Sequence, residues 1–303
     1  MATETEPAAG ESFRERHRGL IEAIRQAAYI LGKNRLTIAG IIMVLFIVAV
    51  GLAAPVLAPH PEDVGSVTKF DQRLEGPSPE HPFGTDELGR DILTRVLFGA
   101  RISIRIAVFV VGSALLIGIP LGLLAGYAGG RVEMLVMRVT DVFVSVPRLI
   151  LPVAVAGALG PSLRNVMLAL IVTWWPWYVR LLRGEVKEVK EAEYVQAVEG
   201  LGAGKVRVMF RHLLPNSVTS LLVQATMDMG WVILVAASLS FIGIGASSPT
   251  PEWGLMVANG REFMPTHWWY SMFPGLFIFI LVMGFNLIGD GLRDILDPRS
   301  RME

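Results

Sequence analysis

The chain reads as an all-α polytopic membrane protein, and three observations point there. Of its 303 residues, 52% are hydrophobic and only 18% are charged, where soluble domains carry roughly a quarter. The charges are clustered and leave long uncharged runs between them. The mean hydropathy is +0.52, and several of those runs reach the roughly 20 residues that a helix needs to cross a hydrocarbon core.

Taken in order, residues 1–37 form a polar, Arg-rich tail with an amphipathic, membrane-skimming helix around Leu20–Leu31. Six spans follow: Ile38–Leu57, Ile106–Gly130, Glu133–Leu159, Asn165–Leu182, Ser217–Gly245 and Phe273–Gly289. The first is too long for a signal-peptide core and fits a retained span in segment 38–58. The third carries Arg138, Asp141 and Arg148, and the fifth is interrupted by Asp228. Between the first two spans, loop 59–101 is Pro-rich and then amphipathic from Leu88 to Phe98, with Leu88, Ile92, Val96 and Gly99 on one face. Segment 102–290 forms a five-helix core, and 291–303 is a second tail.

Orientation follows from the basic residues. With the N-terminus inside, the inner segments hold 17 Lys and Arg and the outer loops seven, so the positive-inside rule puts both termini in the cytoplasm. The chain is then a multi-pass protein of a prokaryotic inner membrane. The outer loop 246–270 carries Trp253, Trp268, Trp269 and Tyr270, read as interfacial anchors.

Within the spans, Gly112, Gly118, Gly122 and Gly126 suggest close helix packing. Pro120, Pro147 and Pro152 are expected to kink their helices. Charges inside spans are functional candidates. Asp141 has Arg138 one turn away as a possible partner, whereas Asp228 either faces a cavity or meets an Arg of a neighbouring helix.

The longest inner connection, 183–216, is patterned. Gly184–Glu199 is rich in helix formers, Gly200, Gly202 and Gly204 break the helix, and Lys205–Leu213 restarts it. Val206, Met209, Phe210 and Leu213 share one face, and Pro215 is expected to end this helix before the fifth span. Such an elbow covers its apolar stripe either with a partner or with its own bundle.

Tyr194-Val-Gln-Ala-Val-Glu-Gly-Leu-Gly-Ala203 followed by Phe210-Arg-His-Leu-Leu-Pro-Asn216 resembles the EAA loop of ABC importer permeases. Ala197, Gly202, Ala203, Phe210, Leu214 and Pro215 fall at matching places, whereas Gln196 stands where that family usually has Glu and Val198 where it often has Ala. Three further blocks are similar to the C-type subunits of dipeptide, oligopeptide and nickel importers. These are Phe83-Gly-Thr-Asp-Glu-Leu-Gly-Arg-Asp91 with its continuation to Arg101, Leu239-Ser-Phe-Ile-Gly-Ile-Gly245 with Pro249-Thr-Pro-Glu-Trp-Gly254, and Gly289-Asp-Gly-Leu-Arg-Asp-Ile-Leu-Asp-Pro298.

The resemblance implies a type I importer transmembrane domain that moves peptides, or nickel chelates or another small solute. It also implies a second homologous permease subunit, two ATP-binding subunits and an extracytoplasmic solute-binding protein as partners. Tyr194, Gln196 and the matched elbow residues would meet an ATPase; as charges inside spans, Asp141 and Asp228 are read either as buried structural pairs or as path candidates, with a peptide's charged termini suiting Asp228. ATP and Mg would be bound by the partner subunits, leaving this chain without a cofactor and without catalytic chemistry.

Other classes fit less well. Gly200-Leu-Gly-Ala-Gly-Lys205 lacks the spacing of a P-loop and follows a helical segment. A secondary transporter would show inverted repeats, and the two halves show none. His17, His60, His81, His212 and His267 are scattered without metal-ligand spacing, and there is no cysteine, so neither a metal site nor a nucleophilic enzyme is indicated. Zero net charge offers nothing to nucleic acid.

Overall fold

The computed structural model describes residues 34–296; the helix expected around 20–31 lies outside them. Among the described residues the regular structure is helical, apart from one isolated bridge between Thr85 and Asp91. The helices are α1 (Arg35–Leu57), α2 (Ile92–Ala128), α3 (Gly130–Val144), α4 (Ile150–Leu159), α5 (Leu163–Lys190), α6 (Glu193–Gly200), α7 (Lys205–Phe241), α8 (Trp253–Gly260) and α9 (Trp269–Leu296).

Five of them, α1, α2, α5, α7 and α9, are long and apolar enough to cross a membrane. The span expected at 133–159 is instead divided into α3 and α4 by a turn at 145–149. Pro147 explains the break, because it removes a backbone donor and disfavours helical geometry at Val146. The turn itself is Ser145-Val-Pro-Arg-Leu149, but the apolar residues on either side of it make 133–159 look like one run.

Small residues set the helix crossings. A Cβ at Gly118 would stand 2.6 Å from Tyr178 Cβ, one at Gly122 3.0 Å from Leu182 Cβ, and one at Gly126 2.7 Å from Val186 Cγ1. This glycine stripe lets α2 lie directly on α5, as expected from its spacing. Gly112 has no atom within 4 Å of its notional Cβ and takes no part. Gly40 and Gly284 bring α1 onto α9 in the same way, each Cβ position lying within 2.8 Å of the other helix.

Two helix boundaries differ from expectation. The amphipathic helix of the first loop starts at Ile92, capped by Asp91 accepting from the Thr94 N–H, and runs without interruption into the second span. Of its expected apolar face, Ile92, Val96 and Gly99 are buried while Leu88 lies before the helix and is half-buried, and Arg101 and Arg105 fall inside the continuous helix. Nor does Pro215 end the elbow helix. A π-turn at Met209–Leu213, in which the Leu214 N–H reaches the Met209 carbonyl, widens the helix just before the proline and lets α7 continue.

At the start of α2, segment 59–91 folds on itself as a compact platform. Asp86 accepts from Arg90 Nε at 2.7 Å and from the Leu88 and Arg90 N–H groups, closing a loop in which Gly84 and Gly89 hold positive φ. Arg95 donates to the Asp63 and Pro249 carbonyls, tying the platform to the 246–252 segment. Trp253 is fully buried there, its indole against Gly99, so it is a core residue and not an interfacial anchor. Tyr270 is buried too, with its hydroxyl on Glu87; Trp268 remains exposed. Burial pushes the Glu252 carboxyl above the ordinary carboxylate range, although it accepts from the Gly254 and Leu255 N–H groups as the cap of α8.

Candidate functional site

The 190–216 elbow is built in two halves with opposite roles. After α5 ends at Lys190, whose ammonium is held 2.8 Å from the Tyr127 carbonyl, α6 turns away and stops at Gly200. The stop is a Schellman motif: the Gly202 N–H donates to the Glu199 carbonyl (2.9 Å) and the Ala203 N–H to the Val198 carbonyl (3.3 Å). Gly202 sits at φ +83°, which a β-carbon would strain. Ala203 and Val198 both pack on the main hydrophobic core, completing the motif.

Val195, Val208 and Leu213 are fully buried in that same core, which also holds Trp174, Tyr178 and Val186 of α5. The opposite face is open: Tyr194, Leu201 (88% exposed), Val206 (69%) and Phe210 (55%) are exposed apolar side chains. The single stripe expected for Val206, Met209, Phe210 and Leu213 is thus split, since Leu213 and Met209 face the bundle while Val206 and Phe210 face outward. Leu214 is half-buried on the core side, and Ala197 and Pro215 are exposed. Gln196 is exposed and donates its amide to the Glu191 carbonyl (3.0 Å), bridging the break between α5 and α6. A glutamate could not make that bond. The glycine-rich turn follows a helix, not a strand, as the rejection of a P-loop requires.

Above the elbow, acid–base pairs climb α5. Glu133 takes Arg183 and Lys187, with Arg183 Nε at 2.6 Å and Lys187 Nζ at 2.7 Å. Asp141 pairs with Arg180 at 2.7 Å in an exposed position, not with Arg138. The helix of Asp141 ends at Val144, and α5 is its nearest cationic neighbour. Asp228 pairs with Arg148 Nη2 at 2.7 Å.

This last pair is unequal. Asp228 is fully buried on α7, whereas Arg148, in the turn before α4, keeps 30% of its side chain exposed. The guanidinium lies over three indoles, Trp174 at 4.2 Å, Trp177 at 5.4 Å and Trp231 at 5.5 Å from the ring centroids. Gln224 donates to Asp228 Oδ1 from one turn before it. A cavity of about 400 Å³ opens beside this cluster, lined by Arg148, Trp177, Arg180, Leu181 and Gln224. Sequence reading singled out Asp228 but missed Arg148 as the accessible partner, because the two lie 80 residues apart.

The histidines are less scattered in the fold than along the chain. His60 and His81 stand with ring centroids 4.7 Å apart, and His81 Nδ1 lies 3.0 Å from Asp91 Oδ1.

Comparison with known proteins agrees with this geometry. Residues 118–302 match the family model of the binding-protein-dependent transport system inner membrane component, and residues 23–77 match that of the N-terminal transmembrane domain of oligopeptide transport permease C. The chain is 42% identical to a dipeptide transport system permease protein DppC of Alkalihalophilus pseudofirmus, over 91% of this chain and 90% of that one. It is 44% identical to a probable D,D-dipeptide transport system permease protein DdpC of Escherichia coli, over 90% of each. Among solved structures, the MetNI methionine ABC transporter in its inward-facing conformations shares the fold at a TM-score of 0.54, with 18% identity, covering 66% of this chain and 96% of that one.

Proposed function

Because the chain belongs to the family of binding-protein-dependent transport system inner membrane components, we propose that it is a permease subunit of an ATP-driven peptide importer. It pairs with a second homologous permease subunit, takes cargo from a solute-binding protein outside, and is driven by two ATP-binding subunits inside. The elbow lies in the cytoplasm, as do both termini. The dipeptide cargo named for its relatives supports peptides as the solute. The observation that carries the coupling role is the two-faced elbow: Val195, Val208 and Leu213 lock it to the bundle core, while Tyr194, Leu201, Val206 and Phe210 lie bare.

An ATP-binding subunit that covers this bare face moves the elbow as a rigid piece, since its inner face shares a core with α5 and α7. The ion pairs of Glu133, Asp141 and Asp228 link the elements that must then shift together, so closure of the ATPases alternates access to the path. No bond chemistry falls to this chain, and ATP is hydrolysed on the partners.

The test is reconstitution of the full complex in liposomes with a length series of labelled peptides. Uptake is expected only with ATP and all subunits present. Phe210→Asp is expected to leave the permease pair assembled, to detach the ATP-binding subunits and to abolish uptake. Peptide uptake that continues without ATP or without those subunits overturns the reading.

A further inference from the structure

We infer that Arg148, together with Arg180 and the Trp177 indole, forms a transient subsite for the carboxylate of a peptide in transit; this rests on the peptide-importer reading above. Three features of the Arg148–Asp228 pair carry the inference.

First, a pair that only held helices together would be sequestered on both sides. Here the acid is sealed within the bundle and the base is open to a cavity. Among the described residues that line it, the charged ones are Arg148 and Arg180, each with its own acid at 2.7 Å, Asp228 and Asp141. Second, an arginine in this setting is costly against lipid and belongs beside protein or a water-filled path. The volume of about 400 Å³ lies within the range of small-ligand sites, roughly 300–1,000 Å³. Third, among the described residues the cluster holds buried polar atoms without a partner on both sides of the pair, Arg148 Nε and Trp174 Nε1 as donors and Asp228 Oδ2 as an acceptor. The pair is thus not fully satisfied within the bundle, and the exposed part of the Arg148 guanidinium offers a planar cation suited to a carboxylate, set among three indoles.

Asp228 gives the site its strength as well as its position. An entering carboxylate competes with Asp228 for the same guanidinium, so binding stays weak. A path site must be weak, because cargo has to leave as readily as it enters. Gln224, which donates to Asp228 and also lines the cavity, can follow either partner. The accessible member of the pair is therefore the base, and Asp228 acts behind it as a positioning residue.

The experiment compares three tripeptides in the reconstituted complex with one and the same binding protein: a neutral tripeptide with a free C-terminus, its C-terminal amide, and the amide bearing one glutamate side chain. The variants are Arg148→Gln combined with Asp228→Asn, which removes both charges together, and Arg180→Gln, at an exposed pair where folding does not depend on it. Permease assembly is followed by copurification. The wild type sets the reference uptake ratio of free acid to amide. The double variant is expected to lower that ratio at least fivefold, and Arg180→Gln to lower it about threefold. If the double variant fails to assemble, the Arg180→Gln ratio decides. A rise of the glutamate-bearing amide to the level of the free acid in wild type shows that any cargo carboxylate serves; no rise assigns the subsite to the C-terminal carboxylate. Ratios unchanged from wild type in the assembled variants overturn the subsite and leave the importer reading intact. A wild-type complex that takes up none of the three peptides overturns both.

Discussion

Trp253 donates its indole N–H to the Val96 carbonyl at 3.0 Å, across 157 residues of chain. The bond closes only because residue 99 is glycine: a Cβ there would lie 2.4 Å from Trp253 Nε1. One contact thus joins two sequence blocks, the Phe83–Arg101 run and the Pro249–Gly254 run.

Gly99→Leu is therefore expected to expel the indole and to lower the melting temperature in detergent by several degrees, as overpacking costs about 1–3 kcal/mol. Trp253→Phe keeps most of the apolar volume and loses the bond, at about 1 kcal/mol. Equal melting temperatures for Gly99→Leu and wild type would refute this account of the junction.

The α2–α5 contact gives a paired prediction. Gly118→Leu must push against Tyr178 and is expected to prevent stable assembly, whereas Gly112→Leu, with open space around it, is expected to be neutral. Size-exclusion profiles of the two variants decide the matter, and similar behaviour counts against the glycine stripe.

Acidic positions inside the bundle should rank by burial. Asp228→Ala removes the buried acceptor of the partly exposed Arg148 guanidinium and is expected to cost about 1.5–3 kcal/mol. Asp141→Ala breaks a pair exposed on both sides and is expected to cost under about 1 kcal/mol. Chemical denaturation in mixed micelles measures both, and a larger loss for Asp141→Ala reverses the ranking.

Gln196→Glu restores the residue usual in similar elbows but removes the amide that donates to the Glu191 carbonyl. The 191–200 segment should then exchange its amide hydrogens severalfold faster, while 205–213 stays unchanged. Unaltered exchange over 191–200 means that this bond does not hold the break.

Glu252 supplies a pH dependence with a definite sign. Burial raises its carboxyl pKa in the folded protein, so the folded state holds its proton more tightly than the unfolded chain. Stability from this group is complete below the unfolded value of about 4.3 and is lost as pH rises through the raised folded value. Melting curves across that window should fall with pH in wild type and flatten in Glu252→Gln; parallel curves contradict the assignment.

The long apolar runs were legible because hydropathy depends on composition alone. Gly202 and the Gly118–Gly126 stripe were legible because glycine at fixed spacing has few other uses. What hid was what composition does not encode. Pro147 lies in a short turn with apolar residues on both sides, Val142–Val144 and Leu149–Val153, which hide the break between α3 and α4. Trp253 looked interfacial because tryptophan suits both a core and a headgroup region. Asp141 was given its nearest base along the chain, Arg138, yet the fold offered it Arg180 from another helix. The elbow's apolar residues look like one stripe because Val206 lies three residues before Met209 and Phe210 three before Leu213, the spacing of a single helix face.

The π-turn beside Pro215 has a mechanical meaning. Because it keeps α7 unbroken, Phe210 and Asp228 ride on one rod, separated by 18 residues or about 27 Å at the usual helical rise. A tilt of about 10° pivoting at Phe210 swings Asp228 through about 5 Å, more than the reach of its contact with Arg148. A hinge at the proline would have absorbed that motion. Without such a hinge, a displacement of the elbow surface is carried along α7 to the Asp228–Arg148 pair.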